Sequence, residues 1–255
     1  MPNRFVLEIC VESVEHAVAA ERGGAHRVEL CSDLPSGGIT PSAGLMQTAR
    51  RYVRVPIHVL IRPRAGDFCY SDRELEIMRN DILAAKQFGM DGVVLGILHE
   101  STRVDVARTK ALVEFAHPLP VTFHRAFDAS ENLEASLEEV IQTGASRILT
   151  SGGQPRATDG LSTLTRLVQA ARGRILLMPC GNINSENVVR IVQVTSAREI
   201  HTSVGASRSA SANGGNGLAP GTGASLSRLP APMFEQQVVR LVSLLGNVSR
   251  DVRVR

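Results

Sequence analysis

Two stretches of the chain repeat one spacing of acid and thiol, Glu8-Ile9-Cys10 and Glu29-Leu30-Cys31. Residues two apart in an extended strand share a face, so each stretch sets a carboxylate beside a thiol. Carboxylates serve as general bases, and neighbouring thiols suit a soft metal ion. Imidazoles occur in two other short apolar runs, at His124 and His201, and guanidinium groups gather at Arg62, Arg64 and Arg125. Glu8 or Glu29 as base, with His124 or His201 as acid partner, suits proton abstraction or hydrolysis. Arg62, Arg64 and Arg125 would then clamp a small anionic substrate, a phosphate or carboxylate, through bidentate contacts, with Ser203 beside His201. Asp67 and Asp128 either orient the arginines or join the chemistry.

Strands and helices alternate around these residues. β-Branched runs start at Phe5, Arg27, Ile57, Gly92, Val121, Arg147, Ile175 and Glu199, and the gaps between them hold helical patterns. Eight strand–helix units without a G-x-G-x-x-G after the first strand fit a single-domain α/β fold, the (β/α)8 TIM barrel, better than an open dinucleotide-binding sheet. The stretch 205–232, rich in Gly, Ser and Ala, reads as a flexible loop after the eighth strand. A final helix over 233–246 closes the last unit.

The barrel fixes which side chains meet. Phe5, Leu7 and Ile9 face the helices, which turns Glu8 and Cys10 inward; the same phase turns Glu29, Cys31, His58, Arg62, His124, Glu199, His201 and Ser203 toward the lumen. Barrel interiors are normally packed with Val, Ile and Leu, so buried charge here must pair, hold water or meet a ligand. An internal Glu–Arg network that only stiffens the core is the alternative, as two inert core cysteines are for Cys10 and Cys31. His58 reads as a core histidine; His16, His26, His99 and His117 read as surface residues.

Composition removes several classes. With 43% hydrophobic residues, 21% charged and a net charge of +3, the chain is an ordinary globular protein with no nucleic-acid footprint. Its apolar runs are far short of the ~20 residues of a membrane helix, and the N-terminus lacks a signal-peptide pattern, so a cytoplasmic location with reduced thiols is expected. The only lysines, Lys86 and Lys110, fall in helices, which excludes Schiff-base chemistry at a strand end. Neither His-x-His on the first strand nor H-E-x-x-H occurs, against a zinc hydrolase. The turn Gly181 to Ser185 opens a helix and Ser203 to Gly205 follows the eighth strand, a position where barrels hold phosphate.

Leu-Glu-Ile-Cys (7–10), Arg-Val-Glu-Leu-Cys (27–31), Gly-Gly-Ile-Thr-Pro-Ser (37–42), Ile-Arg-Pro-Arg-Ala-Gly-Asp-Phe-Cys-Tyr-Ser-Asp (61–72), Thr-Phe-His-Arg-Ala-Phe-Asp (122–128), Ile-Leu-Thr-Ser-Gly-Gly (148–153) and Ile-His-Thr-Ser (200–203) together resemble the copper homeostasis protein CutC family. Pro179 to Ile183 and Gly205 to Pro232 depart from its pattern. The resemblance implies a cytoplasmic TIM barrel, a homo-oligomer with a dimer favoured, and copper handling with Cu(I) on cysteines. Cys10 and Cys31, at matching ends of neighbouring strands, are the candidate ligands; Cys180 could reach the same mouth, and Cys69 lies in a loop.

Overall fold

The computed structural model describes residues 5–204 and 229–251. Eight strands run parallel in one sheet: β1 (Val6–Val11), β2 (Arg27–Leu30), β3 (Ile57–Leu60), β4 (Gly92–Leu95), β5 (Val121–Phe123), β6 (Arg147–Thr150), β7 (Leu176–Pro179) and β8 (Glu199–Thr202). Their order is β7-β6-β5-β4-β3-β2-β1-β8. The two end strands lie against each other, so the ring is nearly closed. The chain is a (β/α)8 barrel, as its alternation of patterns predicts.

Helices α1 (Val14–Arg22), α2 (Ala43–Tyr52), α3 (Asp72–Gln87), α4 (Val106–Ala116), α5 (Leu133–Thr143), α6 (Leu161–Ala171), α7 (Val188–Thr195) and α8 (Ala231–Asp251) surround it. Polar residues before the helices accept the first free N–H groups. Ser13, Ser42, Asp105 and Asn132 do so singly, and Ser71 forms a reciprocal capping box with Glu74. Outward strand residues such as Leu7, Ile9, Val28, Leu30, Val59 and Ile61 are fully enclosed against the helices. This packed ring holds the lumen residues in register.

Boundaries moved where side chains outcompeted pattern. α7 starts at Val188 rather than Ser185, because Asn187 Oδ1 accepts from Asn184 N at 2.9 Å and Asn184 Oδ1 from Glu186 N at 2.8 Å, closing a turn of their own. That turn satisfies its own amides and so uses donors expected for an anion. α8 begins two residues before 233, since Pro232 is tolerated in a first turn. It continues past Gly246 because Phe234, Val238, Leu241, Leu245 and Val248 keep one buried stripe. The loop expected over 205–232 lies outside the described residues up to 228; Leu229 O, within it, is bonded to His16 Nε2 at 2.9 Å.

His16 is therefore not a surface residue: it is buried and stacks on Phe234 at 4.6 Å between ring centres. α8 docks on α1 so closely that a Cβ on Gly23 would sit 2.6 Å from Val238 Cβ and 2.9 Å from Glu235 O. Gly23→Ala should lower stability by about 1–3 kcal/mol. Chemical denaturation of the variant beside wild type measures this, and equal midpoints would contradict the docking.

Candidate functional site

The lumen is built in layers. At its floor, Arg27 donates through Nε to Glu8 Oε2 and through Nη2 to Glu199 Oε2 at 2.5 Å, and Arg147 Nε reaches the same Glu199 oxygen at 2.8 Å. Glu8 and Arg27 are opposite each other in the β1–β2 register. Glu8 is sealed from solvent, and the guanidinium and neighbouring imidazoles outweigh the cost of burial to hold its carboxyl well below the usual range. His58 lies 3.8 Å away.

Above the floor, Glu8 Oε1 accepts from His201 Nδ1 at 2.7 Å. An ionised carboxylate can only accept, so Nδ1 is the donor to Glu8, and Nε2 is the nitrogen left to face the lumen. Burial opposes protonation of His201, but the Glu29 and Glu8 charges hold its pKa well above the ordinary value. Glu29 moves upward, chiefly through burial. Its Oε1 accepts from Cys10 Sγ at 3.4 Å, and Cys10 Sγ is 3.4 Å from Cys31 Sγ. Contact with Cys31 and burial push the Cys10 thiol well up; for Cys31 the contact with Cys10 lowers the pKa, but burial together with the Glu29 and Glu12 charges carries it above the ordinary value. Donor atoms of Cys10, Glu29 and His201 all lie within 4.8 Å of one another, and all three residues are buried.

Other expected members lie elsewhere. Arg62 does not reach the glutamates: its Nη1 donates to Gly38 O at 2.8 Å and Ser36 O at 3.2 Å, and its Nη2 to Gly66 O at 2.7 Å. Arg64 leaves the lumen for Asp67, Glu74 and the Cys69 carbonyl. Arg125 is bonded to Asp128 at 2.9 Å and Ser151 at 2.8 Å. Asp128 also accepts from the amides of Ser151 and Gly153, filling the backbone concavity after β6. Asp67 and Asp128 are thus each ion-paired to one of these arginines. Ser203 stands half-buried just past β8. Cys180 packs with Leu149 and Met178 rather than with the cysteine pair.

His124 is separate from the glutamates and packs on Phe68, 4.9 Å between ring centres. Its Nδ1 accepts from Ala126 N at 3.2 Å. Room for it comes from Gly96, where a Cβ would lie 2.6 Å from Nδ1; Gly92 makes the same room for His58, at 2.5 Å from Nε2. Neither glycine stands out in the sequence, yet both occupy the inward phase of β4 and its extension. Arg27 was equally missed. It has the inward parity of Glu29, but only the register shows its partner.

A profile described as the CutC family matches residues 5–206. The chain belongs to the CutC family. A mouse relative, "Copper homeostasis protein cutC homolog", is 44% identical over 252 residues, covering 99% of this chain and 92% of its own. The human homologue of the same name is 48% identical over 206 residues, covering 81% of this chain and 76% of its own. The solved CutC protein of Streptococcus agalactiae superposes with a TM-score of 0.74 at 33% identity, covering 78% of this chain and 98% of that one.

Burial, helped by the Arg27 and Arg147 charges at His58 and by the Arg62 charge at His124, depresses the buried imidazoles, His58 to about 4 and His124 to about 3. An unfolded histidine takes a proton near pH 6.5, whereas folded His124 takes one only near 3. Its contribution is therefore complete above pH 6.5 and is lost as the pH falls from there toward 3. Replacing it in His124→Gln should make the fall in stability from pH 7 to pH 5 smaller by about 2 kcal/mol. Parallel stability–pH curves for variant and wild type would contradict a neutral buried ring.

Proposed function

We propose that this CutC-family barrel handles copper by holding Cu(I) between the sulfurs of Cys10 and Cys31. The observation that carries this reading is the buried pair of thiols 3.4 Å apart, with Glu29 in hydrogen-bond reach of Cys10. Cu(I) is soft and selects thiolates over oxygen donors. His201 supports the same reading: its Nδ1–H is given to Glu8, the carboxylate–histidine arrangement that presents the other nitrogen to a metal. The copper homeostasis names of the mouse and human relatives point to the same ion. A reduced, cytoplasmic setting would keep the thiols available, and a homodimer belongs to this reading as its expected assembly.

Both thiols are protonated before binding, Cys10 through its contact with Cys31 and burial, Cys31 through burial and the Glu29 and Glu12 charges, and His201 is held protonated beside them, so loading must release protons. A Cu(I)-selective chromophoric chelator, titrated against reduced protein, should report one ion per chain. The Cys10→Ser, Cys31→Ser double variant should bind at least about a hundredfold more weakly, and His201→Gln about tenfold. Equal affinity of the double variant would remove the thiols as the site.

A second reading has one observation in its favour, the 2.7 Å Glu8–His201 hydrogen bond next to Glu29. There, His201 and Glu29 would exchange a proton with a small anionic substrate, His201 replacing His124 as partner of the glutamates.

A further inference from the structure

Among the described residues, buried arginines are neutralised by carboxylates, with one exception. Arg27 has Glu8 and Glu199, and the partly buried Arg125 has Asp128. Arg62 is 5% exposed, and its bonds go to three neutral carbonyls, those of Ser36, Gly38 and Gly66. Gly38 adopts φ +87°, a backbone conformation that other residues rarely adopt. Among the described residues no carboxylate lies within ion-pair distance of Arg62. A buried, unneutralised guanidinium is unfavourable by several kcal/mol unless an anion joins it.

Three donors near it lack acceptors. Arg62 Nε, Tyr70 Oη and His124 Nε2 are each enclosed and without a hydrogen-bond partner. Arg62 and His124 both pack on Phe68, the former with Cζ 5.0 Å from the ring centre and the latter at 4.9 Å. Tyr70 lies beside Arg62, whose guanidinium turns a donor toward the hydroxyl oxygen, so what the hydroxyl lacks is an acceptor for its own hydrogen. Each group is fixed as a donor. Arg62 Nε always carries hydrogen. His124 accepts at Nδ1 from Ala126, so its neutral ring has its proton on Nε2. Burial pushes Tyr70 up to about 12 against the Arg62 charge, which keeps its O–H. Unpartnered buried groups are rare in native proteins and call for an explanation.

We propose that Arg62 Nε–H, Tyr70 O–H and His124 Nε2–H form a binding site for one small monocarboxylate at the C-terminal mouth of the barrel. Charge selects the class. One guanidinium balances one carboxylate, and the other two donors are neutral; a phosphate, with about −1.5 to −2 charges, would be left under-compensated in a site closed to water. The site shares no residue with Cys10, Cys31, Glu29 or His201, so it stands whether or not these hold copper.

The test compares thermal denaturation and titration calorimetry in sodium acetate or formate with sodium chloride and sodium phosphate at equal ionic strength. Wild type should be stabilised by the carboxylates beyond chloride and phosphate. Tyr70→Phe should bind acetate about tenfold or more weakly, the usual loss for a hydrogen bond to a charged group. In chloride alone this variant should melt close to wild type, since the hydroxyl's hydrogen has no acceptor there. Arg62→Gln should lose the carboxylate response altogether. Equal acetate affinity in wild type and Tyr70→Phe would overturn the proposal, as would a wild-type response no greater than that to chloride or one exceeded by phosphate.

Discussion

The site depends on one buried ion pair. Arg27 on β2 faces Glu8 on β1 directly across the ladder, and the pair lies where barrels of this type usually carry aliphatic side chains. Because Arg27 occupies Glu8 Oε2, the remaining oxygen is directed to His201 Nδ1, and His201 Nε2 is turned toward the sulfur pair. Removing the guanidinium would leave Glu8 and Glu199 buried with less positive charge around them, a change of about 3–5 kcal/mol. The network is therefore structural and also orients His201 beside Cys10 and Glu29; the two roles are one arrangement.

Much of this was legible in the chain. Alternation alone set Glu8, Cys10, Glu29, Cys31 and His201 on the inward phase, because the outward set had to be apolar to bury against helices. Strand phase is local information. Pairing across strands is not: the sequence leaves His124 and His201 both open as partners of Glu8, and register selects His201 and adds Arg27. Arg62 and Arg64 were assigned as though loop backbone were inert, whereas carbonyls of Ser36, Gly38, Gly66 and Cys69 take up most of their donors. Gly92 and Gly96 matter for the volume they leave, which a scan for reactive side chains passes over. His16 read as exposed because α8, which covers it, is more than 200 residues away in sequence.

The lumen separates two chemistries along its axis. Its middle holds sulfur, carboxylate and imidazole donors that suit a soft cation, while the mouth gathers donors without acceptors. Arg125 and Asp128 close the opposite side of that mouth, and Asp128 takes the backbone amides after β6 that other barrels could offer to phosphate. The proposed cation and anion sites thus draw on different strands, β1, β2 and β8 for the first, β3 and β5 with their following loops for the second.

X-ray absorption at the copper edge of Cu(I)-loaded, reduced protein tests the central claim most directly. The account predicts a first coordination shell dominated by two sulfur scatterers, which the Cys10→Ser, Cys31→Ser variant loses. A shell made only of nitrogen and oxygen in the wild-type protein, unchanged in that variant, would contradict it.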